Sequence, residues 1–193
     1  YSSVSGKVAK IDSAVDASGY RRPAIIVSVE GDEWEESIVR SEDLVRVEDR
    51  PDLTPESIVE SIKKAGVTGM GGAGFPTCVK LKPAKPVDTI LLNGCECEPL
   101  LTADHRVLLE FADDIIYGLK AVLKTTGAEK GIIVIEDNKP DAIELMKEKV
   151  AECGNIEVFV ARTKYPQGAE KTLIKRVMGR KVPSGGLPAD VGV

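Results

Sequence analysis

The sequence is poor in the residues that build metal centres. It has one histidine and four cysteines in 193 residues, and no two cysteines have the C-x-x-C spacing typical of zinc sites and cubane iron–sulfur clusters. We therefore expect no metal site within the chain. The four cysteines are Cys78, Cys95, Cys97 and Cys153. Cys95 and Cys97 are expected to be free, buried thiols, and this cysteine usage suits a reducing compartment.

Long apolar runs and strong charge are also missing. The longest apolar stretches, such as residues 131–135, have the length of a strand and not the ~20 residues that cross a bilayer, so we expect no direct membrane insertion. The net charge of -5 argues against a nucleic-acid surface. The chain begins at Tyr1 without a methionine or a signal-peptide pattern, and we expect it to be a fragment of a longer protein.

Residues 1–50 lack any helical pattern and predict a small β domain. Val4, Val8 and Ile11 alternate with polar and small residues, and residues 23–29 are rich in β-branched side chains. The acidic residues 30–36 predict an exposed turn or sheet edge. Residues 50–52 then form the predicted boundary with a second domain, residues 51–193.

The second domain alternates helical and strand patterns. Helices usually begin at capping residues and end at glycine, and the strands here are short apolar runs. The predicted order is a helix from Thr54 to Gly66, a strand at 87–92, a helix at 102–125 capped by Thr102, a strand at 132–135, a helix ending near 153, a strand at 156–161 and a helix at 169–178. This alternation predicts a Rossmann-like α/β fold, a parallel sheet with helices on both faces.

The stretch "GVTGMGGAGFPTCVK", residues 66–80, has five glycines in its first nine residues. Glycines permit close approach to a ligand, and their N–H groups can form an anion cradle suited to phosphate. The spacing is neither the dinucleotide fingerprint G-x-G-x-x-G nor the G-K-[ST] ending of a P-loop. The alternative is a tight turn between helix and sheet, with Lys80 an ordinary surface lysine unless an anion lies beside it.

A second candidate loop, Asn93 to Pro99, follows an apolar strand directly. Ligands of open α/β sheets bind at the carboxyl ends of strands, and Asn93, Glu96 and Glu98 suit the hydroxyls of a ribose or polyol. The same side chains suit a cation with oxygen ligands, or a cap for the next helix. A carboxylate pair for glycoside hydrolysis is a weaker alternative, because no aromatic platform for a sugar accompanies it.

A third loop, residues 165–170, also lies between a strand and a helix. Tyr165, held by proline and glycine, can pack on a flat ring, and Glu170 lies in the first helical turn; the alternative is an ordinary loop. The sole histidine, His105, is predicted to be solvated or capping, like Asp104 and Arg106, since no nucleophile is set beside it. Together the three loops suit flavin mononucleotide (FMN), which has a phosphate, ribityl hydroxyls and a flat ring.

Three motifs also resemble a known family. They are "GVTGMGGAGFPTCVKLKP", "LLNGCECEPLLTADHR" and "YPQGAEKTLIKRVMGRKVPSGGLPADVGV", and they resemble the RnfC component of the Rnf electron-transport complex. More distantly they are similar to the 51 kDa NADH-binding flavoprotein of respiratory complex I. The resemblance runs from about residue 53 to residue 193, and "SSVSGKV" looks like the second half of the lipoyl-like barrel-sandwich that precedes the flavin domain.

The resemblance implies NADH oxidation, in which a hydride passes to FMN and electrons leave singly for iron–sulfur clusters. By this resemblance Phe75 stacks on the adenine of the dinucleotide, Lys80 lies near the FMN and Asn93 contacts the flavin. All the positions that match the family's FMN- and NADH-binding motifs are Gly69, Gly71, Gly72, Ala73, Gly74, Phe75, Lys80, Asn93, Glu96, Glu98, Tyr165, Gly168 and Glu170.

Several positions depart from the complex I pattern. Met70 replaces an arginine, Cys95 an aspartate and Ala169 the first of two glutamates, and residues 184–189 lack a second adenine-facing aromatic. We therefore expect weaker binding of NADH than of FMN. The family's further FMN contacts and its two [4Fe-4S] clusters would follow Val193.

The resemblance also implies partners and location. The partners are the other subunits of a membrane electron-transport complex, and this chain would be peripheral on the cytoplasmic face of the bacterial cell membrane. Two rival interpretations remain: a flavin-free docking protein of the same fold, as in related sodium-pumping quinone reductases, and a soluble electron-transfer protein of an amino-acid reductase system.

Overall fold

The computed structural model describes residues 2–33, 53–70 and 74–193. The chain divides into two compact units, Tyr1–Val45 and Arg46–Val193. The predicted domain boundary at residues 50–52 lies outside the described residues, as does the end of the acidic run.

The first unit contains an antiparallel hairpin of β1 (Gly6–Val15) and β2 (Arg21–Val29). Asp16 organises its turn, because the carboxylate accepts hydrogen bonds from the backbone N–H groups of Ser18 and Tyr20. The β character predicted for this segment is therefore confirmed. Whether the hairpin is half of a barrel-sandwich stays a prediction.

A three-stranded parallel sheet organises the second unit, in the order β3-β4-β5. Helices cover both of its faces: Ile133 and Ile135 of the central strand pack in one apolar cluster with residues of α3, α4 and α5, whereas Ile132 and Val134 pack with Leu173 of α6. The predicted Rossmann-like α/β architecture is confirmed. The elements are β3 (Thr89–Gly94), α3 (Ala103–Glu110), α4 (Ala112–Thr126), β4 (Lys130–Glu136), α5 (Pro140–Val150), β5 (Ile156–Ala161) and α6 (Glu170–Met178).

The predicted first helix is α1, Pro55–Lys64. Thr54 caps it as expected, since its hydroxyl accepts a hydrogen bond of 3.2 Å from the Ser57 N–H. A four-residue helix, α2 (Thr77–Lys80), follows the glycine loop and packs against α1.

The single helix predicted for residues 102–125 is wrong, because the chain breaks at Phe111 into α3 and α4. Phe111 has φ −124° and ψ 33°, outside the helical region. Thr102 occupies the N-cap position of α3, as predicted, but its side chain makes no capping hydrogen bond.

The last residues return to the start of β3. Arg180 Nη1 lies 2.8 Å from Asp88 Oδ2 and 2.8 Å from the carbonyl oxygen of Val191, and the Asp88 N–H donates to Gly192 O at 2.9 Å. This segment therefore closes the amino-terminal edge of the sheet. In the ranges described, no helix is long and apolar enough to cross a membrane.

Candidate functional site

Two of the predicted site residues meet at the carboxyl end of the sheet. Asn93, near the end of β3, donates from Nδ2 to the carbonyl oxygen of Gly168 at 2.8 Å, and its Oδ1 accepts from the Cys95 N–H at 3.1 Å. Parallel strands bring their carboxyl ends to one edge, which is why loops 75 residues apart in sequence lie side by side. The Asn93 amide thus fixes the second and third candidate loops to each other.

Gly168 is required by this contact. A Cβ atom built on it would lie 2.3 Å from the carbonyl oxygen of Cys95 and 3.5 Å from Cys97 Sγ, and the first distance is far inside van der Waals contact. The two loops can therefore pack this closely only because residue 168 has no side chain.

Glu96 acts as the cap of α3. Its side chain is buried, and its carboxylate accepts hydrogen bonds from the N–H groups of Asp104 at 3.0 Å and His105 at 3.4 Å. An anion at a helix N-terminus is favoured by the unpaired N–H groups and by the helix dipole. Burial, and then the nearby charge of Glu96, raises the pKa of Asp104. Glu96 therefore caps the next helix, which was one of the alternatives considered for this loop. Its predicted contact with a cofactor stays a prediction.

Glu98 is exposed, unlike Glu96. Within the described residues its carboxylate makes a single weak contact, at 3.9 Å from Cys97 Sγ. Leu100, just beyond it, is fully exposed and has φ +69°, a rare conformation for a residue with a branched side chain. The Glu98 carboxylate is thus available to a ligand.

Tyr165 and Glu170 flank Gly168 and are both exposed. Tyr165 is 71% exposed, and Glu170 is the first residue of α6, after the N-cap Ala169. The exposure of Tyr165 leaves its ring free to pack on a ligand, and Glu170 lies in the first turn of the helix as predicted; their contact with a cofactor stays a prediction.

The glycine loop is held closed at its base. Thr68 and Pro76 form an isolated antiparallel bridge, and the Gly69 N–H donates to the carbonyl oxygen of Phe75 at 2.8 Å. Gly74 has φ +59°, a conformation that favours glycine. Residues 74–76 therefore return beside residues 68–69, just after α1; Gly71, Gly72 and Ala73 lie outside the described residues.

Phe75 and Lys80 flank this loop on its C-terminal side. Phe75 is 53% exposed, and Lys80 is the exposed last residue of α2. Within the described ranges, no hydrogen bond or ion pair joins Lys80 or the loop to the Asn93–Gly168 contact. The structure thus brings the second and third motifs together, and proximity of the first to them stays a prediction.

Buried polar groups beneath the carboxyl edge were not predicted. Glu136, the last residue of β4, and Gln167 are fully buried. Burial, and then the charge of Glu136, raises the pKa of Cys95 to about 12, so this thiol stays protonated near neutral pH. A carboxylate directly after the apolar run of β4 is a signal that sequence reasoning could have used; Gln167, inside a polar loop motif, gives none.

All four cysteines are free thiols, but only Cys95 is buried. The expectation of burial is therefore confirmed for Cys95 and wrong for Cys97, which is half-buried like Cys78 and Cys153. His105 is also half-buried rather than solvated: its Nε2 lies 2.8 Å from Asp141 Oδ1, a contact that links α3 to α5. This contact lowers the pKa of Asp141.

A protein-family model described as the Nuo51 FMN-binding domain matches residues 62–193. Two curated relatives match the whole chain. One, the C component of the Na(+)-translocating ferredoxin:NAD(+) oxidoreductase complex of Acetobacterium woodii, is 43% identical, with 43% of its length covered. The C component of the proton-translocating ferredoxin:NAD(+) oxidoreductase complex of Clostridium ljungdahlii is 47% identical, with 41% covered. The chain therefore spans less than half the length of these relatives.

The solved structures of an NAD+-reducing [NiFe]-hydrogenase are similar in fold. The air-oxidised and H2-reduced forms give TM-scores of 0.57 and 0.53, each at 27% identity over 65% of this chain and 24% of that chain. The resemblance found in the three motifs is thus confirmed: the chain belongs to the family of the Nuo51 FMN-binding domain, and its relatives include the C components of ion-translocating ferredoxin:NAD(+) oxidoreductase complexes.

Proposed function

We propose that this chain is the FMN-binding, NADH-oxidising module of an ion-translocating electron-transport complex. The observation that carries the proposal is the contact between Asn93 and Gly168, which places the N-x-x-E-x-E and Y-x-x-G-x-E loops side by side at the carboxyl edge of a parallel sheet. Membership of the FMN-binding domain family supports the choice of flavin.

The groups at this edge fit an FMN. One Nδ2 proton and one Oδ1 lone pair of Asn93 are used within the chain, which leaves one donor and one acceptor of the amide for a ligand. The exposed carboxylates of Glu98 and Glu170 are acceptors for hydroxyl groups, and the ring of Tyr165 offers an apolar face to a flat ring.

The glycine loop supplies the other half of the proposed site. Gly69, Gly71, Gly72, Ala73 and Gly74 would turn backbone N–H groups toward the phosphate, with Lys80 adding a positive charge beyond the loop. Phe75, half exposed, would take the adenine of NADH. Glu96 would act indirectly, by holding the loop in place, since its carboxylate accepts a hydrogen bond from the start of α3.

When bound, FMN supplies the redox chemistry, since it accepts a hydride from a nicotinamide and releases electrons one at a time. The residues of this chain would bind the FMN and orient it. The Asn93 amide holds the two loops at a fixed separation, and the Lys80 ammonium favours negative charge on its ligand. The proposed acceptors of the electrons are two [4Fe-4S] clusters outside this segment, within a complex at the cytoplasmic face of the membrane.

An anaerobic reduction experiment tests the proposal. The chain is loaded with FMN, separated from free flavin and mixed with NADH while the absorbance band of the oxidised flavin is followed. Bleaching within seconds is expected, with NADPH as the comparison nucleotide. If FMN stays bound but neither nucleotide bleaches it, the NADH-oxidising role is wrong; if no FMN is retained, the chain fits the flavin-free docking protein better.

A further inference from the structure

A groove of about 590 Å³ lies beside α6, and five cationic side chains line it. We call it the basic groove; its cationic residues are Lys164, Lys171, Lys175, Arg176 and Lys181. Among the described residues, no acidic side chain lines it, although the chain as a whole carries a net charge of -5. The groove is therefore a local positive surface on an acidic protein.

Among the described residues, no ion pair neutralises the positive charge of the groove. Across residues 2–33, 53–70 and 74–193, none of the five cationic side chains takes part in an ion pair. Lys175 and Arg176 lie in the last turn of α6, where the helix dipole favours cations, but Lys171 lies in the first turn, where the dipole disfavours them. The helix dipole therefore stabilises two of the five cationic side chains and destabilises a third.

A second, independent feature of the groove is Gln167. This residue also lines the groove and has an exposed fraction of 0%, yet neither Nε2 nor Oε1 has a hydrogen-bond partner within the described chain. A buried amide without partners is costly, so nearly all such groups in proteins are satisfied. The geometry calls for a partner that offers both an acceptor and a donor.

We propose that the basic groove binds a phosphorylated small molecule, with the phosphate held by the lysine and arginine side chains and the Gln167 amide bonding to the ligand beneath them. The volume lies within the range of small-molecule sites, about 300–1,000 Å³. Lysines bind phosphate as flexible point charges, and Arg176 adds a planar fork of donors. A flat acidic protein surface would neutralise the rim but leave Gln167 unsatisfied. This site goes beyond the FMN and NADH function proposed above.

The test uses the 193-residue chain without flavin, titrated by calorimetry with pyrophosphate, ADP and adenosine. Pyrophosphate and ADP are expected to bind and adenosine is not, because the phosphate carries the recognition. In proton–nitrogen correlation spectra, the side-chain amide signals of Gln167 are expected to shift with either phosphate ligand. Similar affinities for the two would identify a free phosphate as sufficient, whereas tighter ADP binding would identify a nucleotide.

Variants locate the site. The double variant Lys171→Gln/Lys175→Gln is expected to weaken ADP binding by about tenfold or more, since two charge-assisted contacts are lost. Lys124→Gln/Lys147→Gln removes the same charge from α4 and α5, outside the groove, and is expected to leave affinity within about twofold. Gln167→Met replaces the amide with an apolar chain of similar length and is expected to weaken binding while the fold is kept.

Four outcomes would overturn the proposal. The first is no heat and no Gln167 shift with millimolar pyrophosphate and ADP, and the second is adenosine binding equal to that of ADP. The third is an equal loss of ADP affinity in the groove and control variants. The fourth is binding of a polyglutamate peptide in place of both phosphate ligands. The last would make the groove an acidic-protein docking surface. None of them depends on flavin, so a failure here leaves the FMN proposal standing.

Discussion

The side-chain amide of Asn93 donates a 2.8 Å hydrogen bond to the main-chain carbonyl of Gly168 and accepts one of 3.1 Å from the Cys95 N–H. One side chain thereby joins the loops that follow β3 and precede α6. Each loop carries an exposed glutamate, Glu98 and Glu170 respectively. The spacing of these two carboxylates is thus set by a group that also has donor and acceptor capacity left for a ligand.

Asn93→Ala is expected to loosen both loops and to lower FMN affinity by about tenfold. The loss of the two hydrogen bonds should also lower the free energy of unfolding by about 1–2 kcal/mol. Denaturant melts and flavin-quenching titrations measure the two effects. Asn155→Ala, in an exposed loop before β5, is the control and should change neither quantity; unaltered FMN affinity in the Asn93 variant would remove this amide from the site.

Gly168→Ala places a methyl group 2.3 Å from the carbonyl oxygen of Cys95, so the two loops must separate. The expected cost is about 1–3 kcal/mol of stability, together with a loss of FMN affinity larger than that of Asn93→Ala. Gly154→Ala is the matched control, because a Cβ there meets no atom within 4 Å and φ is not positive. A Gly168 variant as stable as the Gly154 variant would contradict the close approach.

Gly74→Ala tests the glycine loop. Its φ of +59° is disfavoured for alanine, at a cost of about 1 kcal/mol. Gly127→Ala, at φ +74° after α4, carries the same backbone penalty, and neither position has an atom within 4 Å of the new methyl group. Both variants should lose similar stability, but only Gly74→Ala should weaken FMN binding. Equal FMN affinity in the two would show that the loop does not hold the phosphate.

Glu170→Gln is expected to weaken NADH more than FMN. Glu170 stands exposed at the first position of α6, and its replacement keeps the size of the side chain while removing the charge. Loss of one charged hydrogen bond should raise the NADH dissociation constant by about tenfold. NADH titration of the FMN-loaded chain measures this change. Equal weakening of both ligands would place Glu170 on the flavin instead.

Acid should release the contact between Asp88 and Arg180. The hydrogen bond from Arg180, with a second from the Thr89 hydroxyl, lowers the pKa of Asp88. A carboxyl whose pKa is lower in the folded than in the unfolded chain stabilises the fold above its ordinary pKa, and this contribution disappears as pH falls through the folded value. Because the pair is partly exposed, Asp88→Asn should cost less than about 1 kcal/mol at neutral pH.

Thermal melts of the chain and of Asp88→Asn from about pH 7 to about pH 2 check this sign. The melting temperatures should differ most near neutrality and converge in acid. A gap that is constant across this pH range would mean that the Asp88 charge contributes nothing and that packing alone accounts for the difference.

Sequence patterns predicted the α/β architecture because helices buried on one face and strands buried on both faces have different patterns of apolar residues. The central strand, apolar from Ile132 to Ile135, and α1, capped by Thr54, are examples in which local chemistry and tertiary structure agree. The motifs around Asn93 and Gly168 were also recognisable, since both follow rules for loops at the carboxyl end of a sheet.

The features that sequence analysis did not predict depend on the folded backbone or on residues outside the local pattern. Thr102 has a good capping side chain, but its φ of −141° and ψ of 20° do not aim the hydroxyl at the helix, and Glu96 reaches in from the preceding loop. The break at Phe111 has no proline or glycine to announce it. Gln167 lies in a polar loop motif and is nevertheless fully buried, which no local sequence pattern indicates.

The most direct test of the central claim is an equilibrium titration of the chain with FMN, followed by quenching of flavin fluorescence and repeated with Gly168→Ala and Gly154→Ala. We expect saturable quenching at one FMN per chain, lost in the Gly168 variant and kept in the Gly154 variant. Quenching that is absent, or that is the same in all three proteins, would contradict an FMN site built on the contact between Asn93 and Gly168.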